Sequence, residues 1–270
     1  MNVQVLIATM GQKDHSLLEI MNIQSDAIVA NQCERNEVED FIYKGHKIKY
    51  LSFVEKGVGL NRNNALMRAT ADICVLADDD MVFLDGYVDI VKEVFKNNPN
   101  AHMVIFDLIG AQPKIKKQFK VSYRNFMQFG AARIAFRTKA ITKRGIFFNL
   151  HFGGGATYGS GEDTLFLYNC LRNKLNIIAV PEAIARLTRT RDSTWFTGYN
   201  DKYFLDKGAL FAAISKRWYW LLCLQFSIRR RKLFKKHKTW KEAYKLMIQG
   251  AQEFIGLLKS TNYVRETKGR

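Results

Sequence analysis

Residues 3–8 form an apolar run that is short and free of charge, which predicts a buried strand. Apolar positions at helical spacing follow at Leu17, Leu18 and Met21. Residues 26–30 predict a second strand, and 47–53 alternate as a half-buried strand does before the turn residues Gly57 and Gly59. The pattern then predicts a helix from about Leu60 to about Thr70, a strand over 72–77, a helix over 87–95 and a strand over 103–108. Strands alternating with helices predict a mostly parallel sheet with crossover helices. Ligands of such sheets sit beyond the carboxyl ends of the strands.

Beyond these elements the regularity fades. Residues 110–160 read as irregular, basic and glycine-bearing; a helix is expected over 162–172 and a strand over 176–180. The last third reads as helical. Over 239–258, Trp240, Tyr244, Met247, Ala251, Phe254 and Leu258 form one apolar stripe at spacings of three and four.

The 270 residues, 47% hydrophobic, suffice for one large α/β domain or a domain with an appendage. Charge adds a direction. The net charge is +17, and residues 216–270 hold fifteen Lys and Arg against three Glu, a net +12. A second basic stretch, from Lys114 to Arg144, lies in a span with no acid between Asp107 and Glu162. Such patches attract phosphates of nucleic acid, an anionic bilayer or a phosphorylated substrate. Cys33, Cys74, Cys170 and Cys223 form no C-x-x-C pair, so reduced thiols in a cytosolic protein are expected. The N-terminus has no signal-like run, and the apolar stretch 218–228 is shorter than the ~20 residues of a spanning helix.

Three clusters carry candidate chemistry. Asp78-Asp79-Asp80 ends an apolar strand. Adjacent carboxylates repel, and a hard divalent cation relieves them; in an extended stretch Asp78 and Asp80 face the same way. The alternative is a solvated turn with one acid at a helix start. Gly153 to Gly161 is a glycine-rich loop that delivers Glu162 and Asp163 to a helix start. Ser160 and Asp163 have the spacing of a capping box, and a carboxylate fixed there also suits a general base. Lys56-Gly57-Val58-Gly59-Leu60-Asn61-Arg62-Asn63-Asn64-Ala65-Leu66 is a glycine turn opening a helix, a phosphate environment; alternatively Arg62 is a solvated surface residue.

Taken in order, these clusters resemble the family 2 glycosyltransferases of the GT-A fold. Residues 5–9 resemble the family's opening strand, with Ala8 in place of proline. Gly57-Val58-Gly59-x-x-Arg62-Asn63-x-Ala65-Leu66 resembles its G-L-S-x-x-R-N-x-A-L segment, with Gly59 in place of serine. Asp78-Asp79-Asp80 resembles its D-x-D metal motif, and Gly161-Glu162-Asp163 its G-E-D motif. The tract from Ser193 to Phe196, with Gly198-Tyr199-Asn200, resembles bacterial capsule and cell-surface polysaccharide members. Two departures stand out. Asn31 occupies a region where the family often has nucleotide-holding acids, and residues 187–192 lack the late histidine that is a further metal ligand in many members.

The resemblance implies a Rossmann-like mixed α/β sheet with flanking helices over 1–195, with a nucleotide-sugar half over about 1–108 and an acceptor half over about 109–195. A helical, basic region over 196–270 follows. It implies an inverting displacement. Mn²⁺ or Mg²⁺ on Asp80 and Asp78 bridges the diphosphate of a UDP-sugar donor, Asp163 is the general base, and Glu162 holds an acceptor hydroxyl or exchanges roles with it. Thr9, Asn31, Arg62, Asp78 and Asp79 line the donor side. The expected acceptor is a lipid-linked saccharide, reached from the inner face of the plasma membrane by binding its anionic surface; no nucleic-acid partner is expected. The rival classes are a sugar nucleotidyltransferase, a non-catalytic scaffold and a nucleic-acid-binding protein. The first is disfavoured because the loop Thr9-Met10-Gly11-Gln12-Lys13 has only one glycine and one lysine.

Overall fold

The structure is a computed structural model that describes residues 1–188 and 198–268, with side chains described through residue 259. The described residues form two units, one of 1–150 and 162–188, the other of 151–161 and 198–268.

In the first unit, β1 (Val3–Met10) is a central strand, with β2 (Asp26–Gln32) parallel on one side and β5 (Ile73–Asp78) parallel on the other. Seven of the eight β1 residues are buried, as expected of a strand covered on both faces. The sheet continues outwards from β2 through β4 (His46–Phe53), parallel, to β3 (Glu37–Tyr43), antiparallel, at one edge. On the far side of β5 run β9 (Ile134–Arg137), β7 (Met103–Ile109), β10 (Ile177–Leu187) and β6 (Met81–Phe83), while β8 (Phe119–Lys120) pairs with β10. Parallel pairing of β7 with β10 and antiparallel pairing of β9 with both its neighbours make the sheet mixed.

Helices α1 (Leu17–Ile20), α2 (Val58–Leu66), α3 (Tyr87–Asn97), α4 (Thr138–Thr142) and α5 (Glu162–Arg172) complete this unit. α3 buries Tyr87, Val91, Val94 and Phe95, one stripe at helical spacing, in the core that holds Val5, Val29, Val75 and Val104 of the strands. Each such side chain contributes about 1.5–3 kcal/mol on burial.

Three differences from the sequence expectation have physical causes. β3 and β4 form a hairpin through Lys44 and Gly45, at φ 48° and 84°, which is the both-positive geometry of a type I′ turn. The pattern concealed β3 because it is an edge strand that exposes Val38 and Ile42 among Glu37, Glu39 and Asp40. The middle stretch is not wholly irregular. β9 is only four residues, preceded by Arg133 and ending in Arg137, yet Ile134, Ala135 and Phe136 are buried within the sheet. The strand expected to stop at residue 180 runs on to Leu187, past Pro181, with the register shifting as it goes. Proline marks bulges and irregular pairing in strands, so it reads as a stop.

The second unit consists of the loop 151–161 and four helices: α6 (Asp201–Ile214), α7 (Tyr219–Arg229), α8 (Arg231–Phe234) and α9 (Trp240–Lys268). Asn200 caps α6 by accepting a hydrogen bond from the Tyr203 amide at 2.9 Å. α9 opens on a reciprocal box. The Thr239 amide donates to Glu242 Oε2 at 2.8 Å, and the Glu242 amide donates to Thr239 Oγ1 at 3.3 Å. Phe204, Phe211, Cys223, Phe234, Ala243 and Met247 form the core. At the α6–α9 crossing the backbones touch: a Cβ on Gly208 would lie 1.8 Å from the Met247 carbonyl oxygen, and one on Gly250 2.1 Å from that of Leu205. Among the described residues no helix is long and apolar enough to cross a membrane.

Candidate functional site

The carboxyl ends of the central strands stand side by side. Thr9 of β1 pairs in register with Asn31 of β2, and Ala8 with Asp78 of β5. α2 lies against these ends and is unusual for a buried helix. It buries Asn61, Arg62, Asn63 and Asn64, so polar bonding rather than an apolar face holds it in place. The Asn61 side-chain amide donates to the carbonyls of Thr9 at 3.0 Å and Ala30 at 2.8 Å, joining β1 to β2. Asn63 exchanges two hydrogen bonds with the Phe148 backbone, at 2.9 and 2.8 Å. Gly59 lets this segment approach: a Cβ there would come within 2.9 Å of the Asn149 carbonyl oxygen. The serine of the family pattern would press on that backbone, which accounts for glycine at this position.

Arg62 is the hub. The alternative of a solvated surface residue is overturned, because Arg62 is only 6% exposed. Its Nη2 donates to Asp78 Oδ1 at 2.7 Å and its Nη1 to Glu162 Oε1 at 2.9 Å, while the guanidinium lies over the Phe148 ring. Burial works against its charge, but the charges of Asp78, Glu162 and Asp163 outweigh burial and push its pKa up. Residues from three separate segments of sequence thus share one electrostatic centre.

Each acid has a distinct setting. Asp79 Oδ2 accepts from Thr9 Oγ1 at 2.6 Å, and Thr9 Oγ1 accepts in turn from Gln12 Nε2 at 2.9 Å. Asp80 is exposed, yet its carboxyl is partly shielded from water. That desolvation, with the charges of Asp78 and Asp79, pushes its pKa above the ordinary range. The Asp80 carbonyl accepts from both the amide and the Oγ1 of Thr188, at 2.8 and 2.9 Å. Asp163 Oδ1 accepts from the Thr164 amide at 2.6 Å. Gly130 lies opposite, where a Cβ would come within 3.5 Å of Asp163 Oδ2.

Asn31 is fully buried, and its side chain grips the loop after β1. Its Oδ1 accepts from the Gln12 amide at 3.1 Å, and its Nδ2 donates to the Gln12 carbonyl at 3.0 Å. Gln12, Asn61 and Thr188 are residues that motif reading passed over. Their signal was weak: Asn61 and Thr188 act through partners distant in sequence, and Gln12 bonds Thr9 and Asn31 only because the loop after β1 folds back. Arg189 and Arg191, in the stretch that lacks the late histidine, and the tract 193–196 lie outside the described residues. Among the described residues no group of three or more His, Cys, Asp or Glu side chains is arranged to hold a metal.

The fold has known counterparts. Residues 1–349 of S. aureus TarS, crystallised with UDP-GlcNAc, superpose with a TM-score of 0.65 at 15% identity, covering 94% of this chain and 81% of that one. The same protein crystallised with UDP gives a TM-score of 0.62 at 14% identity, over 93% and 81%. At such identity the likeness concerns the fold, which is the mixed α/β sheet with flanking helices expected of GT-A enzymes. A comparison with curated protein sequences finds no match. The sequence model of "Glycosyl transferase family 2" matches residues 15–155, more than half of the chain, a span that includes α2 and the aspartate triplet. The chain therefore belongs to glycosyl transferase family 2 and is a glycosyltransferase.

Proposed function

We propose that this glycosyltransferase transfers a sugar from a UDP-sugar to a lipid-linked saccharide by a single inverting displacement, in bacterial surface polysaccharide synthesis. The observation that carries the proposal is Arg62, which ties Asp78 of the donor-side triplet to Glu162 of the acceptor-side pair. The TarS structures contain UDP-GlcNAc and UDP, which supports a uridine nucleotide on the donor side.

Asp78 and Asp80 fit a divalent metal. The raised pKa of Asp80 reflects its loss of water first and the charges of Asp78 and Asp79 second, and a cation would offset both. Two carboxylates without a third protein ligand suit Mg²⁺ or Mn²⁺, which complete their coordination with phosphates and water. When bound, the metal supplies charge neutralisation to the departing nucleoside diphosphate. Asp79 and Thr9 shape the donor side through their mutual hydrogen bond, and Asn31 acts through the Gln12 loop that it grips. Asp163 takes the proton of the attacking hydroxyl, with its Oδ1 oriented by the Thr164 amide. Glu162, held by Arg62, positions the acceptor.

Residues 1–195 serve as the catalytic domain and 196–270 as the attachment region, on the cytoplasmic face of the plasma membrane. α7 exposes Trp220, Leu221 and Ile228 while Cys223 and Ser227 face inward, and Trp218 is exposed just before it. Arg229, Arg230, Arg231 and Lys232 follow directly. Exposed tryptophans beside cations suit an anionic bilayer interface. The basic stretch from Lys114 to Arg144 suits the acceptor's phosphates.

The test is release of nucleoside diphosphate from a panel of nucleotide sugars with Mn²⁺. One UDP-sugar is expected to be turned over. Turnover confined to nucleotide-sugar synthesis from a nucleoside triphosphate and a sugar phosphate would overturn the proposal.

A further inference from the structure

The glycine-rich loop 151–161 belongs to the second unit, and its conformation has an identifiable source there. Its first part closes on itself. The Gly153 amide donates to the Tyr158 carbonyl and the Tyr158 amide to the His151 carbonyl, both at 2.9 Å. Phe152 and Tyr158 stack at 4.8 Å, and both pack on Phe254 of α9. The second part runs alongside α6, fastened at alternate residues. Thr157 O accepts from Lys202 Nζ at 3.2 Å, and the Gly159 amide donates to Asp206 Oδ2 at 2.8 Å. Gly161 abuts Leu210, where a Cβ would lie 2.8 Å from Cδ1. Gly161 also has φ +118°, so no other residue fits there without strain.

The three contacts follow the repeat of the helix. Residues 202, 206 and 210 lie four apart on one face of α6, about 6 Å per step. Residues 157, 159 and 161, two apart in a segment that bends at 157, 159 and 160, meet them one for one. Asp206 is the centre of the row: its side chain is 14% exposed and it also accepts from Lys202 Nζ at 2.8 Å, so its rotamer is fixed from two sides. Glu162 and Asp163 come immediately after Gly161 in the chain.

We infer that α6 is a template for the loop, and that Asp206 is a positioning residue for the transfer reaction, acting through Gly159 on the segment that leads into Glu162 and Asp163. The inference rests on the proposed role of Asp163. It gives the helical unit a part in turnover besides attachment.

The experiment compares wild type with Asp206→Ala, which removes the acceptor of the Gly159 amide, and Asp206→Asn, which keeps an oxygen there. Two readouts are taken: amide hydrogen exchange, and steady-state kinetics with the UDP-sugar that the panel identifies. Asp206→Ala is expected to speed exchange at Gly159 and at Thr164, whose amide reports on Asp163, and to lower kcat about 10-fold or more with donor KM nearly unchanged. Asp206→Asn is expected to restore most of both. Unchanged exchange at Gly159 and Thr164 in Asp206→Ala overturns the inference whatever the activity, as does faster exchange with full kcat. Failure of the underlying role looks different: Asp163→Asn would turn over like wild type, or no nucleotide sugar would be consumed, and exchange at Thr164 alone then decides whether α6 governs the loop.

Discussion

Replacing Arg62 with methionine tests the hub directly. Methionine keeps the apolar stem and removes the guanidinium. Two acids then lose their partner, and they do not suffer equally. The Asp78 side chain is 35% exposed and regains water, so its share is small; that of Glu162 is 12% exposed and has little recourse. Breaking a buried pair by removing one member costs about 3–5 kcal/mol, and the exposure of Asp78 argues for the lower end. About 3 kcal/mol corresponds to a melting temperature lower by roughly 6–12 °C in a domain of this size. Differential scanning calorimetry of wild type, Arg62→Met, Glu162→Gln and the double variant completes a cycle. In the double variant no charge is orphaned at residue 162, so it is expected to recover about 1 kcal/mol or more relative to additivity. An Arg62→Met protein that melts with the wild type, or a double variant whose losses simply add, would refute the hub.

Chelation by EDTA is expected to abolish transfer and Mn²⁺ or Mg²⁺ to restore it, with Asp80→Asn inactive in both; full activity in EDTA would remove the metal from the proposal. Asp163→Asn is expected to lower turnover by roughly 10²-fold while leaving thermal stability little changed; normal turnover with lost stability would assign the side chain to the helix start alone. Gly208→Ala and Gly250→Ala each place a methyl group inside a backbone carbonyl's contact distance, and a loss of at least 1–3 kcal/mol is expected from each, about what overpacking costs elsewhere; denaturant titration showing no loss would mean that the helices separate freely. The full chain is expected to sediment with anionic liposomes and not with neutral ones, through cations each contributing about 1 kcal/mol near the surface; equal partitioning to both kinds would exclude electrostatic attachment.

The buried strands were legible because β1, β2, β5 and β7 are apolar on both faces and announce themselves without context. β3 and β9 were not. One is a polar edge strand and the other too short for a period to appear, and both owe their existence to neighbours in the sheet. The candidate site divides the same way. Asp78, Asp79, Asp80, Glu162 and Asp163 stood out because clustered acids are costly unless something uses them. That Arg62 joins the clusters was invisible, since a bond across one hundred positions leaves no trace in local spacing. Asn31 drew notice by its place after a strand, but its bonds to Gln12 depend on how the β1 loop folds back.

The open edge at β3 has a consequence for crowded solutions. An unpaired strand presents a template on which a second copy can add, and Val38 and Ile42 would make such an addition adhesive. The charged side chains Glu37, Glu39 and Asp40 counter this, because a second copy could add only by taking them out of water. Each of these acids has a partner: Asp40 pairs with Lys49, Glu37 with Arg35 at 3.0 Å, and Glu39 meets the His15 ring at 3.3 Å. Without these charges the edge would keep the exposed Val38 and Ile42 and lose what resists a second copy.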